Sequence, residues 1–153
     1  MSSHPVNPNR ALRISNAGLA LIKRFEGFCA KVYHCPAGVP TIGYGHVIKR
    51  GETFKPLSDA EATELLRADA AIAERAVQRL ITAPLTQNQF DALVSFTFNL
   101  GEGALERSGL RQLINVGQFA KVPSELNRWV FAKGKKLPGL ITRRAAEGAM
   151  FSQ

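Results

Sequence analysis

Glu26 is the residue from which any chemistry of this 153-residue chain starts. It follows Ile22 by four positions and Leu19 by seven, which sets it on or beside the inward face of an apolar helical pattern. A carboxyl half withdrawn from water at a helix end is suited to handing a proton to a substrate, the work of a general acid. Position alone favours a surface glutamate at a fraying helix end. Beyond it come Cys35, beside His34 at a hairpin turn, and the run Thr41-Ile42-Gly43-Tyr44-Gly45-His46. Asp69 falls four after Leu65, three after Leu66 and three before Ile72, on the buried stripe of a long helix or at its edge, where it would reach water. A buried charge needs a partner, and His46 is the candidate. That pair would pin the hairpin to the helix, a structural role rather than a catalytic one. Arg143 and Arg144 precede Glu147 by four and three residues. By spacing they form a solvated ion pair worth a few tenths of a kcal/mol; the alternative turns one arginine inward to hold Glu26. Aromatic faces at Phe96, Phe98 and Trp129 could pack on sugar rings, although helical spacing makes Phe96 and Trp129 core residues.

Several elements must position these groups. Ser15 reads as an N-cap with Ile14 and Leu19 at hydrophobic-staple spacing, opening a helix that runs to about Gly27. From about residue 31 to 54, β-branched and aromatic residues sit among Gly and Pro, a small antiparallel sheet with turns at Pro36-Ala37-Gly38 and near Gly51. Ser58 with Glu61 is a capping box opening a helix to about Ile81, whose stripe is Leu65, Leu66, Ile72, Ala73, Ala76 and Leu80. Thr86 with Gln89 is a second capping box, and the helix it opens is apolar nearly all round, the pattern of a central core helix closed by Gly101. Ser108 starts a short helix ending near Gly117, Pro123-Ser124 starts one expected to carry Trp129, and Pro138-Gly139 starts the last. The expected architecture is α+β: a flexible tail over residues 1–12, then one domain made of a small α/β lobe over 13–57, a connecting helix over 58–82 and a helical lobe over 83–153. A cleft between lobes is the default place for a ligand.

Composition narrows the function classes. Formal charge is +8 with pI near 10. That charge suits a polyanionic substrate such as a cell wall as well as nucleic acid. No nucleic-acid signature accompanies the densest cluster, Lys133, Lys135 and Lys136, which reads as a short loop. Two cysteines, Cys29 and Cys35, are too few for a disulfide scaffold or a zinc site, so no metal or cofactor is expected. The polar, Pro/Asn-rich start does not read as a signal peptide, and no apolar run approaches a spanning helix, so synthesis in the cytoplasm without stable membrane association is expected.

Together these residues resemble the phage lysozyme (endolysin) family of the T4-lysozyme type. Glu26, Cys35 and Thr41 are similar to its E-x8-[D/C]-x5-T catalytic pattern; TIGYGH resembles its hairpin, SFTFNLG its cleft-facing helix, and W…LPGLITRRAAE its C-terminal signature. The likeness runs over about residues 13 to 152. It implies a lysozyme-like fold with the active site between lobes, and hydrolysis of the β-1,4 bond between N-acetylmuramic acid and N-acetylglucosamine in peptidoglycan. By the same resemblance Glu26 is the general acid, while Cys35 and Thr41 position the attacking water where many members have Asp in place of the cysteine. Gly45, Phe98 and Asn99 face the sugar; Arg143 pairs with Glu26, with Arg144 the neighbouring alternative; His46 and Asp69 support the site. A thiolate is also a nucleophile, so a covalent route with retained configuration stays open beside inversion. A Cys29–Cys35 bridge capping the site is a further alternative, and so is a wall-binding module that has lost turnover. The resemblance also implies a monomer made in the host cytoplasm, dependent on a holin for release to the wall.

Overall fold

The computed structural model describes residues 7–34 and 38–153. Its first helix, α1 (Asn16–Glu26), begins at Ser15, whose side chain accepts from the Gly18 amide. The helix start is anchored from below by Asp91, which is fully buried. Asp91 accepts from the Ser15 amide at 3.0 Å, from the Ser15 hydroxyl and from Gln87 Nε2 at 2.8 Å. A buried carboxylate without such donors would be costly. Here it fixes the helix that carries Glu26 at its far end.

Strands β1 (Cys29–His34), β2 (Pro40–Gly43) and β3 (His46–Val47) form an antiparallel sheet in that order. Thr41 lies in the middle strand, opposite Tyr33 on one side and Val47 on the other. The expected turn at 36–38 falls largely outside the described residues, as does Cys35. The long helix α2 (Asp59–Leu80) has its capping box formed in both directions by Ser58 and Glu61. Its buried face is Ala62, Leu66, Ala70, Ala73, Ala76, Val77 and Leu80. Ile72, expected on that stripe, is instead 56% exposed. It sits one position off the row formed by Ala70, Ala73 and Val77, which turns it into the space between the lobes. Leu65 is half-buried for the same reason.

Helix α3 (Gln87–Leu100) is the hub: residues 90–97 are all buried, and it packs against α1, α2, α4 (Glu102–Arg107) and α7 (Pro138–Phe151). Both bonds of the Thr86–Gln89 capping box are present. Between α4 and α7 lie α5 (Gly109–Asn115) and α6 (Val122–Leu126). Trp129 does not lie on the helix expected to carry it, because α6 ends at Leu126 and the chain turns out into a two-stranded hairpin, β4 (Phe131–Ala132) and β5 (Lys135–Lys136). Trp129 is half-buried and meets Phe96 edge-to-face at 5.6 Å between centroids. The lysine cluster forms the tip of that hairpin. Lys133 and Gly134 both have positive φ, 51° and 76°, the backbone a two-residue hairpin turn needs.

The amino-terminal segment is docked from residue 7 onward, in contrast to the flexible tail expected over 1–12. Asn9 is fully buried; its Nδ2 donates to the carbonyls of Ile81 and Ala83 at 3.0 Å each, and its Oδ1 accepts from the Leu85 amide at 2.9 Å. Residues 1–6 lie outside the described residues.

Candidate active site

A cleft of about 430 Å³ separates the sheet from the helical region, within the range of small-molecule sites. Glu26, Gly45, His46 and Asp69 line it from one side, and Phe98 and Asn99 from α3. Lys49, Ile72 and Glu102 also line it. Six of the residues expected at a site thus meet around one space.

Glu26 sits at the last position of α1 with its side chain 23% exposed. Arg143 Nη1 donates to Glu26 Oε1 at 2.8 Å. Spacing alone favours a solvated Arg143/Arg144–Glu147 cluster; in the fold Arg143, Arg144 and Glu147 are all buried. The reason is α3. Its Ser95 donates to Glu147 Oε2 at 2.6 Å, and its Ser95 carbonyl accepts from Arg143 Nη2 at 3.2 Å, so α7 turns that face inward. Arg143 Nε lies 3.4 Å from Glu147 Oε2 and Arg144 Nε 3.0 Å from Glu147 Oε1. Burial pushes the Glu147 carboxyl up from its ordinary range, while Arg144, Ser95 and Arg143 pull it back down. Burial likewise lowers Arg144, opposed by Glu147. The two arginines reach different residues of the cleft. Arg143 donates to Glu26, and Arg144 Nη2 donates to Asn99 Oδ1.

Gly45 (φ 78°) brings its backbone against the acid. A Cβ there would stand 2.7 Å from Glu26 Oε2. The glycine expected to face the sugar is therefore needed first for the approach of the hairpin to Glu26.

His46 is buried and bracketed by two carboxylates, Asp69 Oδ2 at 2.8 Å from Nδ1 and Glu52 Oε1 at 3.2 Å from Nε2. The Asp69 contact joins β3 to α2 as expected. Glu52 is an addition that sequence reasoning misses. It also accepts from the Lys49 amide at 2.6 Å, and the bonds from Lys49 and His46 hold its carboxyl below the usual range. A glutamate three residues past a turn lysine carries little signal by itself.

Thr41 is buried and its hydroxyl donates to the Val39 carbonyl at 3.1 Å. It is not among the described residues that line the cleft. Cys35 lies outside the described residues. Cys29 is a free, half-buried thiol. Among the described residues no cluster of His, Cys, Asp and Glu could hold a metal ion, and no helix is long and apolar enough to cross a membrane.

The phage lysozyme family matches residues 23–147 of the chain. The endolysin of Acyrthosiphon pisum secondary endosymbiont phage 1 is 42% identical over 146 residues, which is 92% of this chain and 98% of that protein. The SAR-endolysin of Escherichia phage Mu is 38% identical over 127 residues, 83% of this chain and 74% of that protein. Among solved structures, a mutant of phage P22 lysozyme superposes with a TM-score of 0.84 at 33% identity, over 93% of this chain and 99% of that one. The α+β layout of sheet, long helix and helical region is the lysozyme-like fold of that structure. The match spans both walls of the cleft and the helices behind it, and the chain belongs to the phage lysozyme family, the muramidases that act as endolysins and degrade peptidoglycan.

Proposed function

We propose that this enzyme cleaves the β-1,4 bond between N-acetylmuramic acid and N-acetylglucosamine, with Glu26 as the general acid that protonates the leaving oxygen. The observation that carries this reading is the Arg143–Glu26 contact at 2.8 Å in a cleft whose other wall is α3. An acid must keep one orientation while charge develops on the sugar, and a guanidinium fork anchored by Glu147 and Ser95 supplies that rigidity. Phe98 and Asn99 bind the sugar from α3, and His46–Asp69 holds the opposite wall to α2. Asp59–Tyr44 adds a second tie on that side.

The attacking water is held by Thr41 together with Cys35, with inversion at the anomeric carbon. The Thr41 proton is committed to the Val39 carbonyl, so its oxygen remains an acceptor, the polarity needed to orient a water. The enzyme acts as a monomer, is made in the host cytoplasm and depends on a holin for access to the wall. Expression in a bacterial cytoplasm then lyses cells only after the membrane is permeabilised; spontaneous lysis at the same expression level argues for another route.

Glu26→Gln tests the assignment. The variant is expected to keep its circular dichroism and lose clearing of cell-wall suspensions by at least about 1000-fold, within the range expected for a lost acid with its positioning. Clearing at the wild-type rate would remove Glu26 from the chemistry. Digest products ending in reducing muramic acid support hydrolysis, whereas anhydro-muramic acid would mean a lytic transglycosylase; their anomeric configuration decides the part played by Cys35.

A further inference from the structure

Arg144 is fully buried, yet it faces a residue of the cleft. Its Nη2 donates to Asn99 Oδ1. Its Nε is 3.0 Å from Glu147 Oε1, an ion-pair contact without hydrogen-bond alignment, and Nε and Nη1 make no aligned hydrogen bond among the described residues. The bond to Asn99 is thus the one aligned hydrogen bond of that guanidinium among the described residues. The Arg144 plane is further held over the Phe96 ring, with Cζ 5.1 Å from the ring centroid. Glu147, on the next turn of α7, is anchored to α3 by Ser95.

An arginine has donors only, so the atom of Asn99 that meets it must be the amide oxygen. Donor chemistry alone therefore fixes which way the Asn99 amide points. It leaves the two N–H groups of Asn99 without an acceptor among the described residues, in a side chain that lines the cleft. An asparagine free to flip could offer the substrate either polarity; this one offers donors alone.

We propose that Arg144 is a positioning residue that locks Asn99 as a donor, and that the group it recognises is the carbonyl oxygen of a sugar acetamido substituent. The inference rests on the reading of peptidoglycan glycan as the substrate. Of the acceptors on such a glycan, an amide carbonyl is planar and stronger than a hydroxyl, and every sugar carries one in its acetamido group. Arg143 and Arg144 therefore serve different ends of catalysis, the first orienting the acid and the second setting which substituent the cleft accepts.

The test uses the full chain on soluble peptidoglycan fragments, with initial release of reducing ends as the readout. Asn99→Asp keeps an acceptor for Arg144 and removes the donors. It is expected to keep the wild-type melting temperature within a few degrees and to raise KM about ten-fold, with any effect of its added charge on Glu26 appearing in the pH profile of kcat. Arg144→Lys, which keeps the charge beside Glu147 and loses the planar fork, is expected to raise KM in the same direction with a smaller change in kcat. Asn99→Ala adds no charge. On fragments before and after chemical N-deacetylation, the wild type is expected to prefer the acetylated form, and this variant to narrow that preference at least five-fold. A wild-type KM in folded Asn99→Asp, or an unchanged acetyl preference in Asn99→Ala, overturns the proposal while leaving muramidase action intact. Absence of reducing-end release by the wild type itself would instead sink the substrate reading.

Discussion

At Gly45 the hairpin backbone runs so close to Glu26 that a single methyl group has no room. Two costs coincide there. A side chain is strained at φ 78°, and its Cβ would lie 2.7 Å from the Glu26 carboxylate. Gly45→Ala is expected to lose about 1 kcal/mol of stability from the backbone alone. It also displaces the acid, and misplacement by about 1 Å can cost about 100-fold in rate. Steady-state kinetics beside thermal melts separate the two, since kcat should fall far more than the melting curve explains. Tyr44, one residue before, offers a spectroscopic check of the same corner. Its hydroxyl donates to Asp59, and that bond, with burial and the Asp59 charge, pushes the phenol up from 10.0 to about 12. The folded state holds this proton more tightly than the unfolded chain. The stabilisation is therefore complete below pH 10 and lost as pH rises toward 12. Absorbance titration of phenolate is expected to show a late component that disappears in Tyr44→Phe. A titration without that late component would contradict the bond.

Among the elements, the strap over residues 7–15 has more effect on stability than its polar sequence suggests. Asn9 satisfies two carbonyls and one amide where α2 hands over to α3, and Glu74 accepts from the Ile14 amide at 2.7 Å. Removing the amide of Asn9 leaves three backbone groups without their partner, one of them at the fully buried Ile81 and two at the half-buried Ala83 and Leu85. Asn9→Ala is expected to cost about 1–3 kcal/mol, the penalty for unsatisfied buried polar groups, with kcat unchanged because the cleft lies elsewhere. Urea unfolding with a constant m-value measures it; a midpoint equal to wild type would show the strap to be dispensable. The capping boxes belong to the same scale. Ser58–Glu61 and Thr86–Gln89 fix where α2 and α3 begin, and so where Asp69 and Asn99 end up along them.

Across the whole molecule the charge of +8 meets a wall whose peptidoglycan and attached polymers are anionic. The hairpin tip contributes Lys133, Lys135 and Lys136, and every residue from 131 to 139 is exposed. Long-range attraction of this kind is screened within about 8 Å at physiological salt. Clearing of intact walls is therefore expected to fall more steeply between low and high salt than cleavage of a short soluble peptidoglycan oligosaccharide. Equal slopes would assign the charge to solubility alone.

What the sequence by itself determined is local or periodic. The N-cap at Ser15, both capping boxes and the buried run of α3 depend on residues a turn apart, and the spacing of Glu26, Thr41 and the TIGYGH run is enough to indicate the family. Tertiary structure decided the direction of every group whose partner lies far along the chain. Arg143 and Arg144 read as solvated by their spacing to Glu147, and partners far along the chain turn that face inward: Ser95, 52 residues from Glu147, with Glu26 and Asn99. Ile72 fits the apolar stripe in a helical count but faces the cleft, because the true packing row of α2 is the small-residue line that α3 requires. Asn9 looks like tail until the carbonyls of Ile81 and Ala83 are beside it. Trp129 leaves its expected helix because a lysine-glycine turn downstream takes a backbone that favours a hairpin. In each case the deciding term is satisfaction of a buried polar group or closure of a packed face. Such energies depend on which segments meet, and no window of neighbouring residues contains that information.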